Sequence, residues 1–163
     1  MNDASDTDYW QRTYEQALAA EQSLDFPGFS HADAWKLGRS MVAIAAESHY
    51  PVAIAIKFGQ QRVFHAALPG SSATNDDWLE RKFRAVAIHN CSSWALACQH
   101  RASGTDYFAE SGYDPRAIAL AGGAVPLRVQ GSLIGAVGVS GLPEEDDHRF
   151  VVDALRQHLE EAS

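Results

Sequence analysis

The segment Gly122–His148 reads GGAVPLRVQGSLIGAVGVSGLPEEDDH and sets the architecture of the C-terminal half of the chain. Two runs of small and β-branched residues, 124–129 and 133–140, lie on either side of a three-residue connection, 130–132. A glycine in a short connection between two β-prone runs is typical of a β-hairpin. The segment therefore predicts two antiparallel strands.

A helix is predicted directly after this hairpin. Leu142-Pro143 ends the second strand, and proline is well suited to a first helical turn. Four consecutive carboxylates, 144–147, follow in that turn, where they oppose the positive end of the helix dipole. We expect the last helix to span about 143–160.

A second hairpin precedes this segment, and together the hairpins define the fold class. Residues 51–58 and 62–68 are β-prone runs separated by Gly59-Gln60-Gln61, and a short apolar run at 118–120 predicts a fifth strand. Hairpins make antiparallel pairs. The prediction is a single-domain α+β fold, with an antiparallel sheet of about five strands flanked by helices.

Two helices are predicted before the first hairpin. Aromatic and aliphatic residues recur at helical spacing over 8–21, which predicts the first helix. Ser30 and Asp33 form a capping-box pattern, which predicts the start of the second.

One long helix is predicted between the hairpins, over about 76–100, with Thr74 and Asp77 as its capping box. Cys91 and Cys98 would then lie on the same helix, about 10 Å apart along its axis, which excludes a disulfide between them. Reduced thiols are typical of a cytosolic protein.

Composition narrows the class of partner. The chain has 163 residues, with 13 Lys and Arg against 21 Asp and Glu, and a net charge of -8. This balance disfavours nucleic acid and anionic membranes as partners. The sequence has no long apolar run and no signal-peptide pattern at its start, so we expect a cytoplasmic protein.

The predicted long helix carries a candidate binding edge. Successive helical residues turn by about 100°, so Trp78, Lys82, His89 and Ser93 lie together beside its apolar stripe. An indole can stack on an aromatic ligand, and an ammonium with an imidazole can bind carboxylate or phosphate oxygens. The alternative is that this tryptophan packs at the core boundary while the lysine extends to solvent.

Two further features have both a structural and a functional interpretation. His148 lies on the buried side of the last helix, either as a satisfied core imidazole or as a general acid/base or iron ligand. Gly122-Gly123 forms either a tight turn into the strand or an anion-binding pair of N–H groups. We predict no metal site, because the consecutive carboxylates 144–147 point in different directions on a helix.

Several motifs resemble the GlcG/HbpS-like family, named "haem-degrading", and in particular an uncharacterised branch of it. They are FHAALPG at 64–70, NDDWLERK at 75–82, Ser92-Ser93, and the glycine-rich segment Gly122–His148. The resemblance covers roughly residues 35–160. It implies a profilin- or PAS-like α+β domain, which we place at 26–163 after an N-terminal helical extension at 1–25.

The resemblance also implies partners and site residues. It implies a homo-oligomer, and haem or another tetrapyrrole as a ligand. With His89 from the helix edge, the predicted ligand-binding residues are Asn75, Trp78, Lys82, His89, Gly123, Asp147 and His148.

Three functions are consistent with the sequence. The first is an oligomeric cytoplasmic protein that binds a small aromatic or tetrapyrrole ligand. The second is an enzyme acting on a small metabolite, with His148 and Lys82 in acid/base roles. The third is an interaction scaffold, in which Trp10 and Tyr14 on the first helix anchor an interface.

Overall fold

A computed structural model describes residues 4–162 of the chain. The helices are α1 (Ala4–Gln22), α2 (His31–Glu47), α3 (Ala73–His89), α4 (Ser93–Ser103), α5 (Tyr107–Ser111) and α6 (Glu144–Glu161). The strands are β1 (Asp25–Phe26), β2 (Ala53–Phe58), β3 (Gln61–Ala67), β4 (Ala124–Val129) and β5 (Ser132–Ser140).

The five strands form one mostly antiparallel sheet, in the order β1-β4-β5-β2-β3. Both predicted hairpins are confirmed: β2 pairs with β3 and β4 pairs with β5, each antiparallel. The β4–β5 turn has positive φ at Gln130 (49°) and Gly131 (79°), as a two-residue hairpin turn requires. The α+β class predicted from the sequence is therefore confirmed.

The fifth strand is not the one that the sequence predicts. Residues 118–120 form no strand; Ile118 is instead buried in a cluster with Leu96 and Tyr107. The fifth strand is Asp25–Phe26, which pairs in parallel with the end of β4. A two-residue strand has no periodicity of its own, and an apolar run of three residues fits a buried loop as well as a strand.

The prediction of one long helix over about 76–100 is wrong, because this segment forms two helices, α3 and α4. Asn90 adopts a left-handed conformation with φ 53° and ends α3. Ser92 then caps α4, its side chain accepting from the Ala95 N–H, while the buried Glu21 carboxylate accepts from the Ser92 N–H at 2.9 Å. Cys91 lies in the break, so it shares no helix with Cys98.

The start of α3 also differs from the prediction by two residues. Ser72 is the N-cap and forms the capping box with Asn75, in place of Thr74 and Asp77. The capping box of α2, Ser30 with Asp33, is confirmed.

The two faces of the sheet carry side chains of different size. One face presents large side chains such as Ile54, Leu127 and Val137 to α2 and α6. The other face presents small residues and packs against Leu79, Phe83 and Val86 of α3. These small residues are Ala53, Ala55, Ala124, Ala136 and Gly138. Because they leave little side-chain bulk, α3 lies close enough to reach the backbone of β5.

Helix α1 packs on α4. Trp10 and Tyr14 contact a cluster that includes Trp94 and Cys98, and the Arg101 guanidinium lies 4.7 Å from the Trp10 ring. The two aromatic residues that the scaffold hypothesis places at an interface are therefore engaged within the chain. In the part of the chain that the structure describes, no helix combines the length and apolarity needed to cross a bilayer.

Candidate functional site

A cavity of about 270 Å³ lies where α3, the end of β5 and the start of α6 meet. It brings together four of the residues predicted from sequence: Asn75, Trp78, Lys82 and Asp147. The remaining lining residues are Ala121, Ser140, Gly141, Leu142 and Glu144.

A buried ion pair stands against this cavity. Lys82 Nζ lies 3.3 Å from Asp147 Oδ2, and both side chains are at least 96% buried. The same ammonium donates to the Val139 carbonyl oxygen, also at 3.3 Å. The pair therefore joins α3, β5 and α6 at one point.

Gly123 makes room for this ion pair. A Cβ at this position would lie 2.7 Å from Lys82 Nζ and 2.4 Å from the Val139 carbonyl oxygen. Its φ of 136° is also outside the range of other residues. Gly123 thus contributes to the candidate site by the absence of a side chain.

Asp147 also holds the bend between β5 and α6. Its carboxylate accepts from the Leu142 N–H at 2.9 Å and from the Gly141 N–H at 3.4 Å. These bonds fix the chain where the glycine-rich strand turns into the acidic helix. The carboxylate therefore has a structural role beside its contact with the cavity.

Burial shifts both members of the pair toward their neutral forms. Burial raises the pKa of Asp147 to about 6, although Lys82 and the backbone N–H groups act in the opposite direction. Burial likewise lowers the pKa of Lys82, against the effect of Asp147. Perturbed ionisable groups at the edge of a cavity are typical of binding and catalytic sites.

Trp78 and Asn75 form the outer wall of the cavity. Trp78 is 37% exposed, and the Arg81 guanidinium stacks on its ring at 3.9 Å. The Asn75 side-chain amide donates to Ser140 Oγ at 3.4 Å, while its oxygen accepts from the Ser72 N–H. The wall thus combines a flat aromatic surface with polar groups.

The carboxylates at the start of α6 have separate partners. Glu144 contacts Arg101 and accepts from the Gly122 N–H at 3.3 Å, whereas Asp147 contacts Lys82. Glu145 and Asp146 pair with Arg149. One interpretation of Gly122-Gly123 was that their N–H groups bind an anion. The Gly122 N–H instead donates to the Glu144 carboxylate of the same chain.

The structure does not bring His148 into the cavity. Its ring packs beside Trp94, with centroids 6.2 Å apart, and its Nδ1 is buried without a hydrogen-bond partner among the described residues. Burial, together with the charge of Arg149, lowers the pKa of His148 to about 4. The imidazole is therefore neutral at physiological pH.

Replacing His148 with phenylalanine should change how stability depends on pH. The folded pKa of about 4 lies below the unfolded value of 6.5, so the unfolded chain binds more protons in this range. Wild type should lose about 2–3 kcal/mol relative to the variant between about pH 7 and pH 4.5. Urea unfolding of both proteins across this range measures the difference. If the difference in free energy of unfolding between the two proteins stays constant across this pH range, His148 is not a buried neutral imidazole.

His89 belongs to a different cluster, at the C-terminal end of α3. Its Nε2 lies 2.6 Å from the Tyr107 hydroxyl, and its ring contacts Tyr113. Burial lowers its pKa, and His100 adds to this effect. Ser93, placed beside it by the predicted long helix, lies instead at the start of α4 and bonds to the backbone of Ala124.

Sequence reasoning did not identify Ser140 and Glu144 as lining residues. Glu144 has a sufficient explanation as a helix-initiating carboxylate, and Ser140 is the last residue of a strand. Their position in the sequence could have identified them, because both lie beside the strand-to-helix bend that Asp147 holds.

These features define a class of protein: a single α+β domain, with a five-stranded mixed sheet and a small polar cavity at a strand-to-helix bend. Residues 29–156 match the family described as "Haem degrading protein HbpS-like". The chain belongs to this HbpS-like family, which confirms the resemblance found in the sequence.

Its relatives agree with this assignment. A UPF0303 protein of Streptomyces avermitilis is 43% identical over 148 residues, covering 90% of this chain and 91% of that protein. The crystal structure of Ybr137w protein is 27% identical, with a TM-score of 0.84, covering 91% and 88% of the two chains. A PduOC:haem complex is 22% identical, with a TM-score of 0.68, covering 79% and 94%, and shares the fold.

Proposed function

We propose that this protein binds a small, flat, anionic ligand in the cavity between α3, β5 and α6. The observation that carries the proposal is the buried ion pair Lys82–Asp147 beside the half-exposed Trp78. The indole offers a stacking surface. Lys82, which also contacts Asp147, is the cation of a lining that contains the carboxylates of Asp147 and Glu144 as well. A cavity of about 270 Å³ suits a ligand of one or two rings.

Binding is favoured over catalysis by the position of the imidazole. The enzyme alternative assigns acid/base roles to His148 and Lys82, but His148 does not line the cavity. Lys82 already contacts a carboxylate and a carbonyl oxygen. The geometry thus supports recognition by fixed groups better than proton transfer between them.

Aromatic carboxylates, with benzoate and indole-3-acetate as probes, test this proposal. Calorimetry with wild type should detect binding, and Trp78→Ala should weaken it about tenfold, since stacking on an indole contributes on the order of 1 kcal/mol or more. Trp35→Ala is the matched control, because Trp35 is 60% exposed on α2 and lies outside the cavity. Equal weakening by both variants, or no binding of either probe, would overturn the proposal.

Haem, or another tetrapyrrole, is the second candidate ligand. The family description and the haem complex of PduOC support it. The cavity itself does not fit a haem: it is small, and its lining contains no His, Cys, Met or Tyr to ligate the iron. The side chain whose surroundings suit coordination of the haem iron is that of His65, whose Nε2 lies 2.7 Å from Asp76 Oδ1. Such a carboxylate orients metal-bound imidazoles.

Titration with ferric haem distinguishes this candidate. A shift of the Soret band is expected with wild type and should be lost in His65→Ala but retained in the exposed control His31→Ala. An unshifted band with wild type, or an unchanged shift in His65→Ala, would reject His65 as a haem ligand. The homo-oligomer, the absence of nucleic-acid and membrane partners, and the cytoplasmic location stay predictions.

A further inference from the structure

A second groove, of about 310 Å³, lies at the C-terminal half of α3 and shares no lining residue with the candidate cavity. It opens between α3 and the hairpin ends of β2 and β5. Its apolar lining includes Phe83, Val86, Ile88, Leu133 and Ala136. Ile88 is 40% exposed although it is a large apolar side chain.

The groove coincides with an irregular part of the sheet. Pairing of β2 with β3 shifts register between Ile56 and Lys57, and pairing of β4 with β5 shifts between Leu127 and Arg128. Between these shifts lies Gly135, where a Cβ would lie 1.7 Å from the Lys57 carbonyl oxygen. Such bulges redirect side chains and are frequent beside binding sites.

The charge at the groove is opposite in sign to that of the chain. Lys57 lies 3.2 Å from Glu80, and Arg62 contacts the same carboxylate. Arg84 also lines the groove and is exposed. Within residues 4–162 its guanidinium has no hydrogen-bond or ion-pair partner. The lining thus carries two cations, Lys57 and Arg84, against the single carboxylate of Glu80, in a protein of net charge -8.

We propose that this groove binds an amphipathic monocarboxylate, with its apolar tail along Ile88 and Leu133 and its carboxylate on Arg84. A planar guanidinium matches a carboxylate through two parallel hydrogen bonds. The apolar lining removes the tail from water, which stabilises the bound state. An inorganic anion has no tail and gains no such stabilisation. This site is separate from the cavity at Lys82 and does not depend on the function proposed for it.

Octanoate is the probe, compared with octanol, which has the same tail and no charge. Octanoate should bind wild type and shift the backbone amide resonances of Ile88 and Leu133 in NMR titrations. Arg84→Gln should weaken octanoate binding about tenfold, as expected for loss of a charge-assisted pair, and leave octanol binding unchanged. Arg12→Gln, an exposed arginine on α1, is the matched control and should bind octanoate like wild type.

A second variant tests the groove independently of charge. Ala87 is exposed and lines the groove, so Ala87→Trp should fill it and abolish octanoate binding without disturbing the core. Trp78→Ala should leave octanoate binding unchanged, which separates this site from the one proposed above. Equal affinity for octanoate and octanol, equal loss in the two arginine variants, or shifts confined to other residues would overturn the proposal.

Discussion

Lys82→Met should lower the free energy of unfolding by about 3–5 kcal/mol, since removal of one member of a buried pair leaves an uncompensated charge. The remaining carboxylate, Asp147, is 2% exposed. For a domain of this size, such a loss lowers Tm by about 10 °C. Thermal and urea unfolding at neutral pH measure the loss.

A double variant shows whether the cost comes from the stranded charge. Lys82→Met with Asp147→Leu leaves neither charge buried, so its cost should be smaller than the sum of the two single variants. Arg149→Met is the surface control: its pairs with Glu145 and Asp146 are exposed and should contribute less than about 1 kcal/mol. If Lys82→Met costs no more than this control, the pair does not hold the fold together.

The cost of Lys82→Met should also depend on pH. The pKa of Asp147 is about 6 with the ammonium present, and loss of that charge raises it further. A carboxyl whose folded pKa lies above its unfolded value favours folding at low pH, and this contribution is lost as pH rises through the folded pKa. The variant should therefore approach wild-type stability as the pH falls below about 6.

Gly123→Ala should lower the free energy of unfolding by about 4 kcal/mol, because it introduces both steric overlap and backbone strain. The added Cβ would lie 2.4 Å from the Val139 carbonyl oxygen, which belongs to the sheet and cannot rotate away. It would also press on the Lys82 ammonium, at 2.7 Å. The change should therefore disturb the ion pair as well as the start of β4, and urea unfolding measures its cost.

Gly112→Ala measures a backbone penalty without steric overlap, although in the left-handed region and not at the φ of 136° found at Gly123. Gly112 has φ 75°, but a Cβ there would meet no atom within 4 Å. Its replacement should cost only about 1 kcal/mol, the penalty of a left-handed backbone. Equal costs at the two glycines would show that Gly123 is required for its φ alone and that it does not make room for the ion pair.

The hairpins were predictable because their signals are local. Each turn carries glycine between two β-prone runs, and the acidic start of α6 follows a proline within the same short segment. The broken helix was not predictable in this way. Residues 76–100 have helical character throughout, and Asn90 ends α3 although asparagine also occurs inside helices. The start of α4 is stabilised by Glu21, which is distant in sequence.

The residues of the candidate site were partly accessible from the chain alone. Helical spacing places Trp78 and Lys82 on one edge of α3, and both lie on the cavity. Spacing placed His89 there too, but its side chain contacts Tyr107 from α5, an element without a sequence signal.

Local pattern was sufficient for the four strands of the two hairpins, for their turns and for the family, because turn chemistry and residue periodicity act over a few neighbouring residues. Tertiary packing alone decided that Lys82 meets Asp147, sixty-five positions away, and that His148 turns toward Trp94. The physical reason is the small-residue face of the sheet. It brings α3 close to β5, so that a lysine loses its hydration and must find a carboxylate.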